Sequence, residues 1–481
     1  MAAVKQAVQA MVTEKRAISA DEAKAAMQDL FAGTASQAQT GAFLTSLQVS
    51  PHAHLHRLNR PPCSLGRDAR IVCREWLLQT YGIGRARCPQ LAIYVLACAC
   101  ANDQKQPLDP ELLKVCAETM VSFANSCKVE TPLETMDIVG TGGDGLDTFN
   151  VSTAAGMVLA AAGVKCAKHG NRSASGSVGS ADFLEALGCN IKLNGEQVAT
   201  AVDECGFGFL FAQMFHPAMR HVAAARKEIG VRTVFNLLGP LTNPANPGLQ
   251  VIGVGKKELG PLFAELFKLK GAKRAMIVHS AEGLDEISPA GKTFVWMLDS
   301  GTITEKEISP ADFGVDEHKL EDVQGGSAAD RASIFREILA GGKKRKGATA
   351  AHTAIADYII INAAPAIMLA GKAKDLKSAA QIARTAMENG AALKVLDAYI
   401  ALTKRMAPET PAVNGSAGGF TTRGGVRVTR ARRRVRRART DEAPRGRGEE
   451  GKRAAGASAS ARTKPRGRDE NARHRHGGTG P

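Results

Sequence analysis

The feature that most constrains this chain is a glycine-rich stretch between residues 137 and 153, which reads DIVGTGGDGLDTFNVST. It predicts a short apolar strand, a loop with four glycines and the start of an alanine-rich helix. Glycines allow positive φ angles and let a ligand approach without a Cβ in the way. Asn150, Ser152 and Thr153 favour a helix start, where unpaired N–H groups and the positive end of the helix dipole attract anions. The stretch is interpreted as a phosphate cradle, with an ordinary glycine-rich turn as the alternative.

A second stretch, from Lys168 to Asp182, follows a predicted strand and precedes a predicted helix. It combines Lys168 and Arg172 with small residues and hydroxyl groups. Lysine and arginine neutralise the charge of a polyanion, while hydroxyls and backbone N–H groups bind its individual oxygens. Together with the glycine-rich stretch, it predicts a phosphate site built from two loops.

Two further features predict a cation and a carboxylate at the same site. Asp285 and Glu286 lie in a turn directly after a predicted strand, and ligands gather at strand ends in α/β sheets. Carboxylate oxygens suit Mg²⁺, which commonly bridges protein carboxylates to substrate phosphates; a solvated acidic turn is the alternative. Arg226 is predicted on a helix between segments 211–217 and 233–244, where it could hold a carboxylate bidentately.

The order of predicted elements indicates two domains. Residues 1–130 are predicted to form a small helical domain, because Ser19 and Glu22 have the spacing of a capping box and apolar residues recur at helical intervals after them. Residues 131–405 alternate between strands and helices and end in helices, which predicts a larger α/β domain with a central sheet flanked by helices. Further strands are predicted at 164–167, 207–211, 249–254 and 275–278.

Residues 51–103 do not fit the helical pattern around them. This segment holds seven arginines, no lysine and five of the ten cysteines. A surface insertion and translated intron sequence both explain it, whereas a metal site at His52, His54, His56 and Cys63 is disfavoured because the spacing matches no ligand set. The ten cysteines contain no C-x-x-C pair, which predicts free thiols in a reducing compartment.

The net charge of +16 is concentrated at the C-terminus. Residues 407–481 contain 19 Lys and Arg against 7 Asp and Glu, so 12 of the 16 net positive charges belong to this basic tail. Almost without large apolar residues, the tail is predicted to be disordered. It could bind nucleic acid non-specifically through phosphates, but a solvated tail without a role, or read-through sequence, is the simpler interpretation.

No apolar run is predicted to reach the about 18–20 residues that cross a membrane. Residues 1–15 lack both a hydrophobic segment and the Arg/Ser-rich composition of a transit peptide. We therefore expect a cytoplasmic protein without a membrane partner. A plastid location stays open if a targeting segment is missing from this sequence.

Taken together, the motifs resemble those of the anthranilate phosphoribosyltransferase family. The resemblance covers about residues 4–48 and 105–404. It rests, in the family's order, on Gly140–Asp144, Asn150–Thr153, Lys168–Arg172, Gly179–Asp182, Arg226, Asn236–Pro244 and Asp285–Glu286.

The resemblance implies transfer of the phosphoribosyl group of phosphoribosyl pyrophosphate to the amine of anthranilate, in tryptophan biosynthesis. It also implies Mg²⁺ as cofactor, a cleft between the two domains and a homodimer formed through the helical domain. By position, the residues expected to hold phosphoribosyl pyrophosphate are Gly140, Gly143, Asp144, Thr148, Asn150, Ser152, Thr153, Lys168 and Ser180. Those expected for anthranilate are Gly140, His169, Asn171, His216, Pro217 and Arg226, and those expected for Mg²⁺ are Ser152, Asp285 and Glu286.

The implied reaction breaks the bond between C1 of the ribose and pyrophosphate, so its main requirement is to stabilise the charge that develops on the leaving group. An aromatic amine is already neutral at pH 7, so neither a catalytic nucleophile nor a strong base is nominated. Two rival functions stay open. The Lys168–Arg172 block with Asp285 and Glu286 disfavours a nucleoside phosphorylase of the same fold, and intact site motifs disfavour a nucleic-acid-binding relative that has lost catalysis.

Overall fold

A computed structural model of the chain describes residues 3–12, 14, 16–47, 109–173, 178–230, 232–341 and 349–407. The segment 51–103 and almost all of the basic tail lie outside these residues, so the interpretations of both stay predictions. Within the described residues, helices come first, followed by strands and helices in alternation and then by helices alone.

The N-terminal part consists of helices that the sequence predicts. They are α1 (Ala3–Val12), α2 (Ala20–Ala32), α3 (Gln37–Ser46) and, after the segment left undescribed, α4 (Pro110–Ser122). The predicted capping box is confirmed, because the Ser19 hydroxyl accepts from the N–H of Glu22 while the Glu22 carboxylate accepts from the N–H of Ser19. Helix α2 ends at Gly33, whose φ of 74° suits glycine. Leu30 and Phe31 lie on its buried face.

Seven strands form a single mixed sheet. They are β1 (Met136–Gly140), β2 (Cys166–Gly170), β3 (Phe207–Phe211), β4 (Leu249–Gly253), β5 (Arg274–Ser280), β6 (Thr293–Asp299) and β7 (Thr302–Ile308). Their spatial order is β3-β2-β1-β4-β5-β6-β7, with the first five parallel and the last two antiparallel to their neighbours. The chain leaves β1 towards β2 on one side and returns to β4 on the other, so the loop after β1 lies at a topological switch point.

Helices cover both faces of this sheet. They are α5 (Val151–Ala161), α6 (Ser180–Ala186), α7 (Gly195–Cys205), α8 (Ala212–Phe215), α9 (Arg220–Ile229), α10 (Phe235–Leu238), α11 (Leu259–Leu269), α12 (Ala328–Leu339), α13 (Ala350–Leu369), α14 (Leu376–Glu388) and α15 (Ala391–Arg405). Met276 and Val278 of β5 belong to a cluster that includes α5 and α13, whereas Ala275 and Ile277 belong to one that includes the N-terminal helices. The predicted α/β fold with a small helical part is thereby confirmed.

The antiparallel pair β6 and β7 is the part of the sheet that the sequence does not predict. The side chains of β7 are mostly exposed and are mostly polar or charged, so no apolar alternation marks the strand. The position of β6 depends on packing: a Cβ at Gly260 of α11 would overlap with the ring of Trp296. The close approach of α11 to β6 therefore requires glycine at that position.

Helix α13 corrects the expectation that no apolar run is long enough to cross a membrane. Its 20 residues are long and apolar enough to cross a membrane, but 83% of its apolar 18-residue stretch is buried inside the protein. This burial accounts for the apolar composition, because a helix that is hydrophobic all round lies inside a core or a membrane. Here Ile355, Ile359 and Ile367 are among the residues of the sheet's apolar core.

Candidate functional site

Glycines shape the loop after β1, both through their backbone angles and through the space they leave beside the chain. Gly142 and Gly143 have φ angles of +72° and +74°, which side chains with a Cβ rarely adopt. Gly140, the last residue of β1, lies against Asp285, so that an added Cβ would overlap with the carboxylate. The two stretches that the sequence predicts as one site, the loop after β1 and the acidic turn after β5, are therefore in direct contact.

Asp285 is the carboxylate closest to the glycine-rich loop. Its Oδ2 accepts a hydrogen bond of 2.6 Å from the backbone N–H of Gly142. Burial, followed by the neighbouring charge of Asp144, raises the pKa of Asp285 to about 7. Two carboxylates held this close favour binding of a cation, because a cation removes their mutual repulsion.

Glu286 adds a second acidic group to the same place. Burial and the charge of Asp285 raise its pKa to about 8, while Lys168 and a hydrogen bond with the Ser152 hydroxyl act in the opposite direction. Ser152, Asp285 and Glu286, the three residues predicted for Mg²⁺, are thus joined through Glu286. In the described part of the chain, no three acidic, histidine or cysteine side chains form a complete metal site. An ion bound here would need oxygens from a substrate, which is the usual arrangement for Mg²⁺.

Lys168 lies beneath the loop rather than at its surface. Its ammonium donates to the carbonyl oxygen of Ile138 at 2.6 Å and to the Ser152 hydroxyl at 3.2 Å, and the side chain is fully buried. Burial lowers the pKa of Lys168, opposed chiefly by the charge of Asp137. The structure therefore places this predicted phosphate ligand between β1 and the start of α5.

Asp137 supports this arrangement from inside the sheet. Its carboxylate accepts from the Asn243 amide at 2.8 Å and from the backbone N–H of His169 at 3.3 Å. Burial raises the pKa of Asp137 to about 6, while the charge of Lys168 acts against that increase. Asp137 and Asn243 fall inside or next to the motifs that carry the resemblance, but the sequence alone indicates no role for either.

Thr148 and Asn150 lead from the glycine-rich loop into α5. Asn150 stands directly before the helix as predicted, but its side chain does not cap the helix. Its amide nitrogen instead donates to the carbonyl oxygen of Val178 at 2.7 Å, and its amide oxygen accepts from Arg331 at 3.2 Å. Thr153, next in the predicted set, is buried one turn into the helix, and its hydroxyl oxygen has no hydrogen-bond partner in the described residues.

The second predicted loop is described up to Ser173 and again from Val178. Arg172 pairs with Asp182 at 2.5 Å and with Glu185 at 2.6 Å, so its charge is already matched by α6. Asn171 is exposed, and its carbonyl oxygen accepts from the N–H of Ala181 at 3.2 Å, close to Ser180 at the start of α6. The predicted residues Asn171 and Ser180 are therefore brought together at one end of this loop.

Three of the residues predicted for anthranilate, Arg226, His169 and His216, lie around the segment from Phe235 to Thr242. The guanidinium of Arg226 lies 5.5 Å from the centre of the Phe235 ring, and burial lowers its pKa. A partly buried guanidinium over an aromatic face is a suitable receptor for a planar carboxylate.

Two predicted histidines lie next to this segment. Their rings are 5.1 Å apart in an edge-to-face arrangement, and His169 Nδ1 lies 3.1 Å from the carbonyl oxygen of Gly239. Burial lowers the pKa of His169 to about 3 and that of His216 to about 4. Both rings are therefore neutral at pH 7, and Pro217 follows in a short 3-10 turn.

Two arginines in contact with the glycine-rich loop were not predicted. Arg232 donates to the carbonyl oxygens of Gly143 at 2.6 Å and of Gly142 at 2.8 Å. Arg331 of α12 donates to the carbonyl oxygen of Thr148 and to the carboxylate of Asp147, which come after the four glycines of the loop. Arg232 could have been found from the sequence, because it lies four residues before Asn236 and therefore next to a recognised motif. Arg331 could not, because it lies far along the chain in an ordinary amphipathic helix pattern.

Comparison with known families matches two consecutive parts of the chain. Residues 5–52 match a domain described as "Glycosyl transferase family, helical bundle domain". Residues 133–393 match "Glycosyl transferase family, a/b domain". The second match spans more than half of the chain and contains all of the site residues described above.

Curated relatives of similar sequence carry one name. The anthranilate phosphoribosyltransferase of Rubrobacter xylanophilus is 45% identical over 291 residues, which cover 60% of this chain and 82% of that protein. The enzyme of the same name from Aquifex aeolicus is 39% identical over 332 residues, covering 69% of this chain and 93% of that protein.

Solved structures agree with these relatives. The crystal structure of anthranilate phosphoribosyltransferase from Thermus thermophilus is 34% identical, with a TM-score of 0.64 and coverage of 84% of this chain and 100% of that chain. The enzyme from Saccharomyces cerevisiae in complex with PRPP and Mg is 27% identical, with a TM-score of 0.64 and coverage of 84% and 98%.

Proposed function

Because this chain belongs to the anthranilate phosphoribosyltransferase family, we propose that it transfers the phosphoribosyl group of 5-phosphoribosyl 1-pyrophosphate to the amine of anthranilate. The products are N-(5-phosphoribosyl)anthranilate and pyrophosphate, and the reaction belongs to tryptophan biosynthesis. The observation that carries the proposal is the contact between the glycine-rich loop and the acidic turn, made by Gly142 and Asp285. A phosphate cradle alone is widespread, but one that adjoins the buried carboxylate of Asp285 and the half-buried carboxylate of Glu286 is suited to a pyrophosphate bound with a metal ion.

Mg²⁺ is the proposed cofactor, as in the yeast enzyme that was solved in complex with PRPP and Mg. The donor set fits this ion, since Ser152, Asp285 and Glu286 offer hard oxygens and the two carboxylates have pKa values near neutrality in the absence of a cation. When bound, Mg²⁺ would neutralise charge on the pyrophosphate leaving group. These residues would hold it together with oxygens of the substrate.

The chain's own groups account for the remaining requirements. The loop from Gly140 to Thr153 offers backbone N–H groups at the start of α5, where an anion is favoured. Arg226 can hold the anthranilate carboxylate, and the neutral rings of His169 and His216 can line its path without competing for that charge. Holding both substrates in this orientation supplies much of the rate acceleration, because neither partner needs chemical activation by a base.

A homodimer formed through the helical part is proposed as the assembly, because the family resemblance implies it. The helices α1 to α4 that would carry the contact are held against one face of the sheet by a shared apolar cluster. Size-exclusion chromatography with light scattering would test it, and a monomer at micromolar concentration would contradict it. A cytoplasmic location stays a proposal as well.

The proposed activity can be followed by the fluorescence of anthranilate. Mixing the purified protein with anthranilate, PRPP and MgCl₂ should abolish this fluorescence, and EDTA should prevent the loss. Glu286→Gln should lower the rate by roughly tenfold or more, because it removes a carboxylate from the proposed ion site. The matched control is Glu305→Gln on the exposed strand β7, which should leave the rate unchanged. Persistent fluorescence with folded wild-type protein would overturn the proposed function.

A further inference from the structure

Arg331 is a fully buried charged side chain that the proposed function does not use. Its side chain is 1% exposed, and its guanidinium donates four hydrogen bonds. Nε donates to the carbonyl oxygen of Gly326 at 2.9 Å and Nη1 to that of Thr148 at 2.7 Å. Nη1 also donates to the Asn150 amide oxygen at 3.2 Å, and Nη2 to the Asp147 carboxylate at 2.5 Å. Three of these four bonds end on residues 147–150, which connect the four glycines of the loop to α5.

The surroundings of Arg331 fit this one orientation of the side chain. A Cβ at Gly325 would lie 2.5 Å from Cγ of Arg331, so the segment before α12 can pass over the arginine only as glycine. The same segment is tied to the loop by its backbone, since the N–H of Phe149 donates to the carbonyl oxygen of Val323 at 2.8 Å. Burying a guanidinium is costly unless its donors are satisfied, and here the satisfying acceptors are loop atoms.

The hydrogen bonds continue from Arg331 to the second loop. Asn150 accepts from Arg331 through its amide oxygen and donates to the carbonyl oxygen of Val178 through its amide nitrogen. Val178 precedes Gly179 and the start of α6, where Ser180 lies. One side chain, Asn150, therefore connects Arg331 to both loops of the proposed phosphate site.

From this network we propose that Arg331 is a positioning residue for phosphoribosyl pyrophosphate. It acts through Asp147, Thr148 and Asn150, and it holds the two phosphate loops at a fixed separation before the substrate arrives. The inference rests on the proposed function for the identity of the substrate. The physical reason is preorganisation, because loops that are already ordered lose less conformational entropy when they bind the substrate. The planar fork of arginine suits this role, because a lysine ammonium can reach only some of these acceptors at once.

The test compares Arg331→Met and Arg331→Lys with Arg336→Met. Arg336 lies on the same helix, is 42% exposed and pairs with Asp397 away from the loops, so it is a matched control. Steady-state kinetics at a temperature at which all variants are folded should show a KM for PRPP raised about tenfold in Arg331→Met, while the KM for anthranilate changes less than about twofold. Arg331→Lys should recover part of this loss and Arg336→Met should resemble the wild type.

A merely structural role would give a different pattern. It would lower the fraction of active protein, and therefore the apparent kcat, while leaving both KM values unchanged, and that result would overturn the proposal. So would a rise of both KM values by the same factor, or an equal effect in Arg336→Met.

Hydrogen–deuterium exchange separates this inference from the proposed function, because it needs no turnover. Backbone amides of residues 147–153 should exchange about tenfold faster in Arg331→Met than in Arg336→Met, since the loop loses its buried anchor. If the wild type catalysed no transfer but this difference appeared, the function would be wrong and the positioning role would stand. Equal exchange in the two variants would overturn the positioning role even in an active enzyme.

Discussion

Asp285 and Glu286 have pKa values near neutrality because Asp285 is buried, Glu286 is half-buried, and their charges lie close to one another and to Asp144. Burial also changes the pKa values of the neighbouring pair Lys168 and Asp137. It lowers the pKa of the lysine and raises that of the aspartate, while the attraction between the two charges opposes both changes. At the scale of residues, the site is thus a set of buried groups that stabilise one another only in part. A metal ion and a polyanionic substrate would complete this balance.

Arg226 gives a prediction at this scale. Arg226→Ala should raise the KM for anthranilate by roughly ten- to a hundredfold, because a hydrogen-bonded charge is worth about 1.5–3 kcal/mol. The KM for PRPP should change far less. Steady-state kinetics with each substrate varied in turn measure both values, and Arg220→Ala on the exposed side of the same helix α9 is the control. An equal rise in both KM values would show that Arg226 is structural.

The decisive contacts between elements are those between strand ends. Strand β4 ends at Gly253, whose backbone lies directly against that of Asp285 in the turn after β5. The N–H of Thr141 donates to the carbonyl oxygen of Gly253 at 2.9 Å, so the ends of β1, β4 and β5 meet at one point. At the scale of elements, the acidic turn can therefore take this position only because its neighbour Gly253 has no side chain.

Gly253→Ala should disturb this junction. The added methyl group would overlap with the carbonyl group of Asp285, and overpacking of this kind costs roughly 1–3 kcal/mol or more. Urea unfolding should show that loss of stability, accompanied by a loss of PRPP-dependent turnover. In Gly291→Ala the methyl group meets only the flexible end of the Glu282 side chain, so this control should lie close to the wild type. A Gly253→Ala variant as stable and active as the control would contradict this account of the junction.

The two larger apolar clusters of the described part of the chain lie on opposite faces of the sheet, and a smaller third cluster packs α7 against β2 and β3. Of the two larger clusters, one joins the sheet to α5 and the C-terminal helices, and the other joins it to the N-terminal helices. The imidazoles of His169 and His216 are enclosed in this body as neutral groups. Protonation of either is therefore linked to unfolding of the whole molecule.

The contribution of His216 to the free energy of unfolding should consequently fall as the pH falls from 7 to 5, whereas Asp137, Asp285 and Glu286, whose pKa values are raised in the folded protein, contribute in the opposite direction. The pKa of His216 is lowered to about 4 in the folded protein, whereas an unfolded histidine has a pKa near 6.5. Between these values the unfolded state binds a proton that the folded state does not, so acidification favours unfolding by about 1–2 kcal/mol per histidine at pH 5. Urea unfolding at both pH values should show that the change in the free energy of unfolding from pH 7 to pH 5 is about 1–2 kcal/mol less favourable in the wild type than in His216→Gln. The same change in both proteins would contradict the buried, neutral state of His216.

Local sequence signals determined most of the helices and the parallel strands, because capping, periodicity and glycine placement act over a few residues. The boundaries differ in places: the strand predicted at 164–167 is Cys166–Gly170, whereas the helix predicted to carry Arg226 lies where expected, at Arg220–Ile229. The antiparallel pair β6 and β7 escaped prediction, since its exposed strand has no apolar alternation and its place depends on packing against α11.

The candidate site likewise has features that local sequence predicts and features that depend on tertiary packing. The sequence by itself predicted two phosphate loops and an acidic turn, because such sites need particular residue types in short stretches, and the structure brings the first loop and the turn into contact. The sequence could not show that Asn150 uses its side chain to join two loops, nor that Arg232 and Arg331 hold the glycine-rich loop, because these contacts join residues from 28 to 184 positions apart. Only the tertiary structure decided them, since a hydrogen bond between distant residues depends on how the sheet and helices pack and leaves no pattern in either segment alone.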